Sequence, residues 1–285
     1  MSTSEQIKKA VRENYGAIAK AGGKSPLSCC SPKSLCCPEP TTAINLSSTI
    51  GYNKEDMESV PEGSNLGLGC GNPIALASLK NGETVIDLGS GGGFDCFLAA
   101  AKVGKEGRVI GIDMTAEMLE RARSNAVKGG YDNVEFRLGE IEHMPVADAT
   151  GDIIISNCVI NLSTDKPQVF REAFRVLKSG GRLMVSDMVL LEELPAVIRD
   201  SIDAYAGCIA GAMIKDDYLQ AVAQAGFTDI KVMDETSFPF ELIESDPIVK
   251  QAASILNLDK VEITRLAATV KSIKLYAKKP LHTKV

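Results

Sequence analysis

Eight cysteines against two histidines set the first chemical question about this chain. Four of the eight lie in PLSCCSPKSLCCP, as the pairs Cys29-Cys30 and Cys36-Cys37. Cys70 sits in NLGLGCGNP, Cys158 in SNCVINL, Cys208 in AYAGCIAGA, and Cys96 in FDCFLAA. Thiolates are soft ligands that select soft metal or metalloid centres. Two thiols can also surrender two electrons by forming a disulfide. With His143 and His282 as the only histidines, chemistry that needs a general base near neutral pKa is poorly served. Adjacent cysteines depart from the C-x2-4-C spacing that aims two sulfurs at one zinc ion, so a zinc site at 29–37 is the weaker reading. A vicinal disulfide is weaker still, because its ring is strained.

The redox setting follows from composition. A chain with 45% hydrophobic and 24% charged residues reads as soluble and globular, and its net charge of −6 argues against a nucleic-acid partner. No apolar run approaches the length of a bilayer span, and MSTSEQIKKAVRENYG lacks the apolar core of a signal peptide. The expectation is a cytoplasmic monomer with reduced thiols, where cysteine clusters signal metal binding or catalysis.

A second motif concerns a cofactor. IDLGSGGGFD spaces Asp87, Gly89, Gly91 and Gly93 as D-x-G-x-G-x-G between a strand and a helix. Such a turn lets a ligand lie against bare backbone at the carboxyl edge of a sheet. Asp113 ends the next strand twenty residues after Gly93, where a carboxylate can hold ribose hydroxyls. Both NAD and S-adenosylmethionine (SAM) use turns of this kind, and the spacing favours SAM.

These residues need a scaffold to position them. Ile7, Val11, Tyr15 and Ile18 have helical spacing over 3–20, with Ser2 or Ser4 available as caps and a stop near Gly22-Gly23. Residues 21–49 and 59–73 read as loops, rich in Gly, Ser, Pro and Cys. Strands are expected at 83–89, 108–114, 134–140, 152–157 and 182–189, with helices between them, one of which runs from KPQVFREAF to a stop at Gly180-Gly181. Helices at 194–213, 214–227 and 247–259 follow, with closing strands at 227–238 and 270–280. Apolar strands alternating with helices predict a mainly parallel sheet covered on both faces, an α/β fold. The expected parts are 1–73 as helix, cysteine loop and lid, 74–190 as the cofactor domain, and 191–285 as a substrate-binding α+β region.

Ligands in open α/β sheets bind outside the carboxyl ends of the strands. Cys158 lies just past the fourth strand, Cys208 in the helical stretch after the fifth, and Cys70 in a glycine-rich loop suited to a lid. Three separately placed thiols can thus meet beside the cofactor. Cys96, among Phe94, Phe97 and Leu98, reads as core.

The layout resembles class I SAM-methyltransferases, whose fold is Rossmann-like. In that family the loop after strand three contacts adenine, here Gly139 to Glu142, and the end of strand four faces the reacting methyl, here Ser156 to Cys158. More specifically, GYNKEDMESVPEGSNLGLGCGNP, VIDLGSGGGFDCFLAA, GEIEHMPVADATGDIIISNCVINL and SIDAYAGCIAGA resemble arsenite SAM methyltransferases. The resemblance implies trivalent arsenic bound by Cys158 and Cys208, joined by Cys70, with an upstream cysteine in a thiol relay. It implies SAM contacts from Asp87, Gly89, Gly91, Asp113, Met114, Ile141, Glu142 and Asn157. Arsenite and methylarsenite are the implied substrates, and thioredoxin or a glutathione-like thiol is the reductant. The family has one essential upstream cysteine where this chain has four, with Cys29 or Cys30 preferred. The chain also lacks the longer C-terminal extension of some members. Two other readings are a methyltransferase acting on a quinone- or sterol-like acceptor and a non-enzymatic thiol metal sensor.

Overall fold

The computed structural model describes residues 3–21, 47, 52–69, 78–199, 201, 205, 209–237 and 259–281. Its strands are β1 (Thr84–Leu88), β2 (Arg108–Asp113), β3 (Val134–Leu138), β4 (Gly151–Asn157), β5 (Leu177–Leu190), β6 (Met213–Ile214), β7 (Thr228–Ser237) and β8 (Val270–Lys278). They form one sheet in the order β3-β2-β1-β4-β5-β8-β7, with β6 beside the end of β5. The first five strands run parallel to one another, and β8 enters antiparallel between β5 and β7.

The helices among the described residues are α1 (Ser4–Lys20), α2 (Lys54–Glu58), α3 (Phe94–Val103), α4 (Ala116–Gly129), α5 (Lys166–Val176), α6 (Ala196–Arg199), α7 (Lys215–Gln224) and α8 (Lys260–Thr269). The central strands are apolar on both faces because both faces are covered. Ile86, Leu88, Ile110, Ile112, Ile154 and Leu183 pack on one side with Phe170 and Ala173 of α5 and Tyr218 of α7. Val85, Val109, Ile153, Ile155 and Met184 pack on the other with Phe97 of α3 and Leu119 of α4. Strand order reverses between β1 and β4, which opens a crevice at their carboxyl ends.

Helix α1 lies over that edge. Its Val11 shares a cluster with Cys158, Leu162 and Met188, with Ile7, Tyr15 and Met114 packed against it. Arg121 of α4 donates to the carbonyls of Ala19 and Gly63, tying the end of α1 and the 61–66 loop to the helix after β2.

Local ends differ from expectation in four places. Thr3, not Ser2 or Ser4, caps α1, with Gln6 closing a capping box; the helix ends at Lys20. Helix α5 stops at Val176, because Leu177 already pairs with Gly151 and Gly180 bonds back to Lys279, so β5 begins before the two glycines. The helix expected over 194–213 is seen as α6 at Ala196–Arg199, residues 209–212 are not helical, and Met213 lies in β6 against Val189. Helix α8 went unread in the sequence, although Asp259 and Glu262 form a capping box at its start. Residues 247–258 of the expected helix 247–259 lie outside the described residues. No helix among the described residues is long and apolar enough to cross a membrane.

Candidate functional site

The glycine turn links β1 to α3 at the crevice. Gly89 and Ser90 both donate their backbone N–H to the Ile112 carbonyl, and Gly93 caps α3. Gly89 has φ +69°, and a β-carbon there would stand 2.3 Å from Val159 Cγ2. Only glycine fits that spot, so the turn rests directly on the loop that carries Cys158.

Asp113 closes β2 as expected, but its carboxylate is already engaged. Its Oδ2 accepts from Gly91 N at 2.9 Å and its Oδ1 from Thr115 N at 2.8 Å. It orders the turn and caps α4 in place of the Thr115 side chain, which makes no cap bond of its own. Spare lone pairs on both oxygens leave it able to accept from ribose hydroxyls. Burial pushes its carboxyl up, opposed by the N–H groups of Thr115 and Gly91.

Two further carboxylates sit at the same edge. Asp87 is 3% exposed, accepts from the Cys96 thiol at 3.2 Å, and titrates well above the usual carboxylate range through burial and the Asp95 charge. Asp95, in the first turn of α3, is raised to about 6 by burial, against bonds from Tyr52 and Asn157. The charges acting on Asp87 are those of Asp95 and Asp113, so this pocket is short of positive charge.

Those features fit SAM, which carries an ammonium and a sulfonium. Where a Gly91 β-carbon would go there is open space, and Ser90 Oγ is buried with no partner among the described residues. Asp87, Asp95 and Asp113 would face the cationic end and the ribose.

The expected adenine contacts lie after β3. Ile141 is buried, and Glu142 is 4% exposed. Glu142 accepts from Ser163 at 2.7 Å and pairs with Lys8 of α1 at 3.4 Å, while Lys8 also reaches Glu140 at 2.6 Å. Helix α1 therefore closes this side of the crevice, a link that sequence reading did not supply.

Asn157 ends β4, and Cys158 follows at φ +59° with its N–H bonded to the Ser186 carbonyl at 2.8 Å. A left-handed backbone at a non-glycine residue costs about 1 kcal/mol or more and persists only when its surroundings impose it. The Cys158 sulfur is disulfide-bonded, and Cys96 is the free cysteine of the described residues. Cys29, Cys30, Cys36, Cys37, Cys70 and Cys208 lie outside the described residues. Among the described residues no group of three or more His, Cys, Asp and Glu side chains is placed to hold a metal.

Tyr52 is the residue that sequence reading missed. It is buried, and its hydroxyl bridges Asp95 and Asn157. A lone tyrosine in the polar stretch GYNKED gave no sign of this beyond its aromatic ring.

A methyltransferase-domain family profile matches residues 79–226. An arsenite methyltransferase from Halobacterium salinarum is 46% identical over 235 residues, 80% of this chain and 59% of that protein. The human arsenite methyltransferase is 34% identical over 78% of this chain and 58% of its own length. The chain thus spans under two thirds of these curated relatives. The crystal structure of an arsenic(III) S-adenosylmethionine methyltransferase from Chlamydomonas reinhardtii superposes with a TM-score of 0.60 at 30% identity, covering 87% of this chain and 76% of that one.

Proposed function

We propose, from the premise that this chain belongs to the arsenite methyltransferase family of class I SAM-dependent methyltransferases, that it methylates trivalent arsenic held by cysteine thiolates. The observation that carries the reading is Cys158. It stands in a strained conformation at the carboxyl end of β4, with its loop packed on the glycine turn and a second sulfur bonded to it.

Bound SAM supplies an electrophilic methyl group. The glycine turn and Asp113 hold the ribose side, and Asp87 and Asp95 offset positive charge in a buried site. Thiolates of Cys158 and Cys208, with Cys70 as a third ligand, hold arsenite. Arsenic keeps a lone pair under this coordination, so no protein base is needed, and the chain contributes alignment of nucleophile with methyl carbon. Residues 1–73 serve as cover and source of relay thiols, 74–190 as the cofactor domain, and 191–285 as the arsenic-binding region.

Electron balance requires one thiol beyond the three ligands. When the arsenic lone pair takes up a methyl cation, arsenic becomes formally pentavalent. The trivalent state returns when the thiol of Cys29 or Cys30 attacks the Cys70 sulfur: the arsenic–Cys70 bond breaks and leaves its electron pair on arsenic, a Cys70 disulfide forms, and the attacking thiol gives up one proton. Thioredoxin or a small thiol then reduces that disulfide by exchange. The activity serves arsenic detoxification in the cytoplasm.

The test incubates the chain with arsenite, SAM and a thiol reductant and separates the arsenic species formed. Methylated arsenicals are expected only when all three are present. Folded, SAM-binding protein that yields none overturns the proposal.

A further inference from the structure

Tyr52 opens the described segment 52–69 and is 4% exposed. Its hydroxyl donates to Asp95 Oδ1 at 2.6 Å and accepts from Asn157 Nδ2 at 3.0 Å. The same Nδ2 reaches Asp95 Oδ2 at 3.4 Å. An ionised carboxylate only accepts, a phenol has one proton to give, and an amide nitrogen has two. The ring therefore closes in one sense: Asn157 gives both amide protons, and Tyr52 gives its own to Asp95. Turning the carboxamide over would set its oxygen against an anionic oxygen.

Gly69 covers the same amide from elsewhere. Its φ is +124°, and a β-carbon there would stand 2.8 Å from Asn157 Nδ2 and 2.9 Å from Oδ1. Both ends of segment 52–69 thus rest on one side chain, and the second end leads straight into Cys70.

We propose that Tyr52 is a positioning residue for methyl transfer, whose hydroxyl locks the Asn157 carboxamide in one orientation beside the cofactor and seats the 52–69 segment on that lock. The inference rests on the reading of this edge as a SAM site serving arsenic methylation. It predicts a signature that the reading alone does not require. Asp95 is faced by Tyr52 from segment 52–69, Asp87 from β1, Asn157 from β4 and Cys96 from its own helix. Of these, Tyr52 and Asn157 favour its ionised form, and burial opposes it. Tyr52→Phe keeps the edge-on ring contact with Phe94, 4.8 Å between centroids, and removes only the hydroxyl. The Asp95 carboxyl must then titrate higher, and the amide nitrogen loses an acceptor.

Calorimetric binding of SAM across pH tests this on the full chain, with turnover of arsenite measured in parallel. In the wild type, affinity is expected to weaken as pH falls through the Asp95 titration near 6. Tyr52→Phe should move that acid limb up by about one pH unit, as loss of one bond to the charged form does. Its kcat should fall about tenfold from misplacement of the reacting groups. Asp95→Asn cannot ionise and should lose the component of the limb near 6, leaving that of Asp87 and Asp113, which keeps the proposal testable if the tyrosine variant folds poorly. A Tyr52→Phe limb that overlays the wild type, even at reduced amplitude, overturns the lock, as does an unchanged limb in Asp95→Asn. Absence of methylation in the wild type would instead strike the arsenic reading, since the binding curves are read without turnover.

Discussion

Cys96 and Cys158 are both buried, at 0% and 7% exposure, yet the fold treats them in opposite ways. Cys96 is in the first turn of α3, donates to Asp87 at 3.2 Å and is free. Burial and the Asp87 carboxylate push its thiol well above the usual range, so it is held protonated. Cys158 lies at the mouth of the crevice in a left-handed backbone and is disulfide-bonded. Burial alone does not make a thiol inert. Reactivity follows from the charges that face the sulfur and from whether its backbone sits at the ligand edge.

The largest expected effect separates the two directly. Cys158→Ser should abolish methylation of arsenite and of methylarsenite, a loss of at least about a thousandfold for removal of a soft ligand, while SAM affinity measured by calorimetry stays within about threefold. Retained turnover would break the contrast, because Cys158 would then be as dispensable as a core thiol.

The next concerns the carboxylates around Cys96. Asp95 titrates at 3.8 as a reference group and at about 6 when folded, so it takes up a proton on folding between those values. Its contribution to stability is complete below about pH 4 and is lost as pH rises through about 6, an effect of about 3 kcal/mol. Asp187, raised to about 7 by burial despite Lys166, acts with the same sign over a wider window. Urea unfolding of the cofactor-free chain from pH 4 to 8 should show this, with the slope reduced in Asp95→Asn. A slope that the variant leaves intact would remove Asp95 from the account.

The smallest effect falls on Cys96 itself. Cys96→Ala should keep methylation within about threefold and cost about 1–2 kcal/mol of stability in urea, as expected for a small buried group. A large loss of turnover with unchanged stability would place Cys96 in the chemistry and erase the comparison.

Much of the fold was legible because its signals are local. Five apolar runs became the five parallel strands, and Thr228–Ser237 and Val270–Lys278 are the closing pair. The D-x-G-x-G-x-G turn and Asp113 were placed by spacing alone. Element ends were less legible. Helix α5 was read through Gly180-Gly181, but pairing of Leu177 and Gly180 with distant strands stops it earlier. Helix α8 was missed despite the capping box of Asp259 and Glu262, a signal present in the sequence. In the site, Glu142 was read as a cofactor contact, whereas its Lys8 partner was not. Tyr52 was not singled out at all.

The sequence by itself determined the layered sheet, the glycine turn, the acidic residue after it, and the place of Cys158 just past the fourth parallel strand. Those follow from hydrophobic period and turn chemistry, which act over a few neighbours. Only the tertiary structure decided that Cys158 takes a strained backbone, that Gly89 must yield to Val159, and that Asp95, Tyr52 and Asn157 form one ring. The last joins residues 43 and 105 positions apart. Each of its bonds needs a group withdrawn from water and a partner brought there by the closure of the chain, so no local pattern announces it.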